Sequence, residues 1–150
     1  MARLAAHGVA VDVPRGWEGR ILRRVALNPT ERSRTVVHVA SFPLPEERGD
    51  YGVGVTELMR SGDAFVTLFE YGPESVGQPM FAAQGVPHLT PELFSPRRLQ
   101  RTLSGQVGCQ LFFTANQRPF CLYIVIAGRI HVRPLVAELN PMLQQLDFTT

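Results

Sequence analysis

Apolar and polar positions along the chain change their period several times, and each period predicts a different element. Val9–Val13 alternates weakly and stops at Pro14-Arg15-Gly16-Trp17, a turn signal, so a short strand is predicted there. Residues 19–27 (GRILRRVAL) and 35–42 (TVVHVASF) read as two strands, and the polar stretch 28–32 between them suits a hairpin. Residues 43–50 are a loop by composition. Residues 53–60 place apolar side chains at 55, 58 and 59 with Gly62 beyond, which predicts a short helix closed by glycine. Residues 64–71 (AFVTLFEY) form the next predicted strand.

Residues 72–96 carry prolines at 73, 79, 87, 91 and 96, which excludes a long helix and disfavours a central strand. A long irregular segment in a small domain is more often functional than a plain connector, so a binding surface is expected there. Ser95-Pro96 suits the cap and first residue of a helical turn through Thr102, with a strand as the alternative. Residues 107–113 put Val107, Cys109, Leu111 and Phe113 on one face of a half-buried strand. Residues 114–118 form the turn. The unbroken apolar run 120–126 (FCLYIVI) then predicts a strand covered on both faces, at the centre of the sheet. Val132, Leu135, Val136, Leu139, Met142, Leu143 and Leu146 make one helical stripe, kinked or split at Pro141, and residues 147–150 return as a short edge strand.

Hairpins dominate and helices are few, which predicts an α+β fold. The expected form is a single domain over residues 1–150: a twisted antiparallel sheet of about six strands, with the C-terminal helix packed on one face. The length of 150 residues fits one domain that needs no metal or disulfide staple. An apolar content of 45% with 19% charged residues excludes disorder, collagen and coiled coil. No apolar run reaches the roughly 18 residues of a membrane span, and the N-terminus lacks a secretory apolar region, so a cytoplasmic location is expected. All 15 basic residues are arginine, against 13 acids. Because they are scattered and the net charge is only +2, this bias reflects a GC-rich genome rather than a nucleic-acid partner. Cys109 and Cys121 are spaced for neither zinc nor redox chemistry and are expected to be reduced and buried.

Residues 8–17 (GVAVDVPRGW) resemble the opening of the PsbP-like superfamily, which also includes the Ran-binding Mog proteins and the mycobacterial lipoprotein LpqN. Members open with a strand ending in a Pro-x-Gly-Trp corner, and they continue with hairpins, a central apolar strand and a terminal helix. The resemblance implies a partner-binding or assembly role. It supplies no active-site residue to carry over.

Local chemistry points the same way. His7, His38, His88 and His131 form no His-x-His or His-x-x-x-His pair; His38 fits a satisfied sheet residue, and His88 in the proline-rich segment is the one candidate base. No nucleophile elbow is present, Gly52-Val53-Gly54 lacks a third glycine, and a chain without lysine has no Walker-type lysine. Glu46, Glu47 and Asp50 read as a solvated acidic loop, and no metal or cofactor is expected. Arginine clusters lie at Arg20, Arg23, Arg24 and at Arg97, Arg98, Arg101. The expected function is a non-catalytic protein-interaction or assembly module of a bacterial cytoplasmic system, binding a protein partner or its own copies. The expected interface has Phe81, Leu89 and Phe94 as apolar anchors and Arg97, Arg98 and Arg101 as a polar rim. The alternative is a small-ligand enzyme with a cleft beside residues 72–96.

Overall fold

A computed structural model of the chain describes residues 2–24 and 34–149; the predicted strand end at 25–27 and the loop 28–32 lie outside them. Among the described residues the fold is α+β, with eight strands in two antiparallel sheets rather than one sheet of about six. Ala2–Ala6 (β1) and Val9–Val13 (β2) form a hairpin about His7-Gly8. Both turn residues have left-handed φ, +52° and +77°, which matches the twist a two-residue hairpin demands. β2 also pairs with Asp147–Phe148 (β8), where a C-terminal edge strand was expected. β1 had no sequence signal, because its alanines leave only Leu4 to mark an apolar position.

After the corner at Gly16 the chain enters a five-stranded sheet. Its strands are Glu18–Arg24 (β3), Arg34–Ala40 (β4), Ala64–Glu70 (β5), Gln106–Ala115 (β6) and Arg118–Ala127 (β7), in the order β3-β4-β5-β7-β6. Gly19 shows how closely the two sheets cross: a Cβ there would lie 2.7 Å from Val13 Cγ2 and 3.0 Å from Leu4 Cδ1. The apolar strand β7 is covered on both faces, but it lies beside the edge strand β6 and the sheet's centre is β5. One face of the sheet, including Val37, Val39, Val66, Leu68, Leu122 and Ile124, shares a core with β2 and with Val132–Gln144 (α1). The helix buries Leu135, Val136, Leu139, Met142 and Leu143 and runs through Pro141 without a break.

The second face is covered by loops. The helix expected over residues 53–60 is only a 3₁₀ turn at Thr56–Leu58, because Gly52 and Gly54 both adopt positive φ and fold the loop tightly before it. The loop inserts Leu44 and Val55 over Ala40 and Phe65, with Met59 packed alongside, while Leu58 is exposed. Residues 72–96 hold no long helix or sheet strand, as expected. Instead 3₁₀ turns begin at Pro73, Pro79, Pro91 and Pro96, where a missing N–H costs nothing and φ is already set. Ser95 Oγ caps the last of these by accepting from the Arg97 N–H, and the turn ends at Arg98 rather than Thr102.

Candidate functional site

The structure separates the residues expected to form an interface. Phe81 and Leu89 are each 1% exposed, so they belong to the core and are not surface anchors. Phe81 packs against Tyr71 and Phe112, and its carbonyl accepts from Thr114 Oγ1 at 2.7 Å. Leu89 is clamped through its backbone: Asn140 accepts from its N–H at 2.8 Å and donates to its carbonyl at 2.9 Å. Phe94 is half-buried against the same core. Arg97 and Arg98 are exposed, while Arg101 pairs with Glu57 at 3.1 Å. His88 is exposed on the loop and is not part of either cleft described below.

His38 sits on β4 with both ring nitrogens bonded, as a satisfied sheet residue should be. Arg48 Nε donates to Nδ1 at 2.8 Å, so Nε2 carries the proton and donates to the Asp50 carbonyl at 2.9 Å. That carbonyl also accepts from Thr67 Oγ1 at 2.7 Å. Burial of the ring pushes its pKa down to about 4, with the Arg48 charge adding to the effect. The network anchors the loop; it does not present the imidazole to a substrate. Cys109 and Cys121 are free and buried, and burial pushes the Cys109 thiol up to about 12 and the Cys121 thiol upward too. A nucleophilic thiolate is thereby excluded at either position in the native fold.

Two clefts remain. The larger, about 670 Å³, opens at the end of the sandwich where the His7-Gly8 and Asn116-Gln117 turns meet the starts and ends of β3, β4 and β5. Arg118 organises it: the guanidinium grips Glu70 at 2.8 Å and 3.0 Å and donates to the carbonyls of His7, Gly8 and Thr149. Arg23 and Arg34 add positive charge to a lining whose carboxylate is Glu70. The smaller cleft, about 400 Å³, lies between the 50–56 loop and Gln100-Arg101, over Tyr123. The Tyr123 hydroxyl accepts from the Gln100 N–H at 2.7 Å. Neither cleft joins a nucleophile to a base. Among the described residues no three His, Cys, Asp or Glu side chains converge as a metal site.

The margins of the five-stranded sheet differ. On β6 the outward-facing backbone groups belong to the even-numbered residues, and the proline-rich segment bonds those of Gly108 and Thr114. Gly108 exchanges both bonds with Ser95, Thr114 donates to Ala83 and accepts from Gly85, and the Gln106 N–H donates to Leu103. On β3 the pattern follows from the next strand. The Ser41 N–H bonds the Ala64 carbonyl, so the odd residues of β4 face β5 and the even residues face β3. The β3 register then leaves the backbone groups of Gly19, Ile21 and Arg23 pointing away from their β4 neighbour, with Gly19 itself buried against Leu4 and Val13 of the other sheet. Among the described residues no strand or loop pairs with them; Arg20 donates its own guanidinium to the Gly19 carbonyl at 2.8 Å. The arginine cluster noted in the sequence at 20, 23 and 24 thus lies along a strand whose outer side pairs with no other described residue. Sequence reasoning placed the strand but not its position at the margin, since strand order depends on pairings distant in sequence. Compared with known protein families, curated proteins and solved structures, the chain matches none.

Proposed function

We propose that this protein is a non-catalytic interaction module that receives an extended segment of a protein partner alongside β3. The observation carrying this reading is the contrast between the two margins of one sheet. Bare strand edges template unwanted pairing, and proteins ordinarily cover them. Here the proline-rich segment pairs with β6 at Gly108 and Thr114, while among the described residues nothing pairs with the N–H and C=O groups that β3 presents at Ile21 and Arg23, beyond the buried Gly19. Main-chain bonds to such an edge supply affinity, and alternate side chains supply selectivity. The resemblance of residues 8–17 to the PsbP-like superfamily, whose members are mostly assembly factors or partner-binding modules, supports the same role in a bacterial cytoplasmic system. The enzyme alternative called for His88 or a carboxylate in a cleft beside residues 72–96; His88 lines neither cleft, and in the larger one, bordered by Gly72 and Pro73, the Glu70 carboxylate is held by Arg118.

The test selects strand-forming peptides against the purified protein and compares two substitutions at one position. Ile21→Pro removes only an outward-facing N–H and places the ring where a guest strand would lie, so the sheet's own ladder keeps its bonds. Ile21→Ala removes a similar side chain but keeps the donor. Selected peptides are expected to bind the wild type and Ile21→Ala and to lose binding to Ile21→Pro. Equal binding to a folded Ile21→Pro variant would place the interface elsewhere.

A further inference from the structure

Resting on that reading, we infer that the segment received by β3 is acidic, with carboxylates three residues apart. β3 carries Arg20, Arg23 and Arg24 against the single acid Glu18. Arg24, also exposed, is held by Asp50, leaving Arg20 and Arg23 as the strand's cations outside that pair. Arg20 is 3.7 Å from Glu18, and its bond to the Gly19 carbonyl occupies a group that a guest strand's N–H would take. Docking therefore releases the Arg20 guanidinium toward whatever side chain lies opposite it. Because side chains alternate faces along a strand, Arg20 projects on one face of the sheet and Arg23 on the other. Residues three apart on a paired strand also lie on opposite faces, in either strand direction. A guest with acidic residues at i and i+3 thus sets one carboxylate beside each arginine, while apolar residues between them meet Ile21 and Leu22. The Arg23 end of β3 opens into the larger cleft, where Arg34 and Arg118 extend the positive lining. A second copy of this chain is the poorer occupant, since its β3 brings the same excess of guanidinium groups.

Three capped hexapeptides test this: Thr-Glu-Val-Val-Glu-Thr, the same peptide with both Glu replaced by Gln, and the same with both replaced by Arg. Each is titrated into the full chain while the amides of Ile21 and Arg23 are followed by NMR and hydrogen exchange. The Glu peptide is expected to bind roughly tenfold more tightly than the Gln peptide at low salt, with the Arg peptide weakest. The preference should vanish in 1 M salt and in an Arg20→Gln/Arg23→Gln variant that still binds the Gln peptide. If the Glu and Gln peptides bind equally well, strand reception stands and the acidic preference is wrong. If no peptide protects the Ile21 and Arg23 amides, strand reception itself is wrong. Protection that grows with protein concentration alone would make a second copy the occupant and overturn the inference.

Discussion

A buried imidazole ties stability to pH. The His38 ring is fully buried, and its neutral form is the one that fits between the Arg48 donor and the Asp50 acceptor. An NMR titration of His38 is expected to show a midpoint at about 4, against 6.5 for an ordinary histidine. The unfolded chain then binds a proton between those values that the folded chain refuses, so stability rises with pH across that window and is lost as pH falls through it. The loss is on the order of 3 kcal/mol between pH 6.5 and pH 4, read from urea unfolding at successive pH values. A midpoint near 6.5 would mean that the ring is hydrated and the loop over it open. The sequence shows half of this site. The period of residues 35–42 puts His38 on a strand, but Arg48 and Asp50 lie in a loop whose path over the sheet has no local signature.

Among the elements, the β6–β7 hairpin is legible, whereas the β1–β2 hairpin and the long-range ties are not. Asn116 and Gln117 take left-handed φ in the turn expected between the last two strands of the sheet, so short-range turn chemistry sufficed there. The spacing at 55, 58 and 59 misled because the loop pressed onto the sheet buries Val55 and part of Met59 but leaves Leu58 exposed. Arg118 looks like an ordinary turn residue in the sequence. In the structure it joins Glu70 to the β1–β2 turn and to the carbonyl following β8, with its guanidinium carbon 5.4 Å from the centre of the Phe120 ring. Arg118→Met is expected to destabilise the protein by about 3 kcal/mol in urea unfolding, because Glu70 would remain largely buried without its cation. Adding Glu70→Leu should recover part of that loss. A loss below about 1 kcal/mol in Arg118→Met would show that the three-stranded sheet is held by apolar packing alone.

At the scale of the whole molecule, the proline-rich segment and the open edge exchange the roles that composition suggested for them. Five prolines between residues 72 and 96 mark a segment that avoids regular structure. They do not reveal that it pairs with β6 at Gly108 and Thr114 and donates Phe81 and Leu89 to the core. Fold class and most strands follow from local periodicity. The candidate site follows from strand order, which brings residue 18 and residue 115 to opposite margins and is set by pairings such as β5 with β7. Amide hydrogen exchange in the unliganded protein tests this division directly. Slow exchange is expected at Gly108 and Thr114, whose N–H groups are bonded to the proline-rich segment, and fast exchange at Ile21 and Arg23. Slow exchange at those two amides would show that β3 is already covered and contradict its role as the receiving edge.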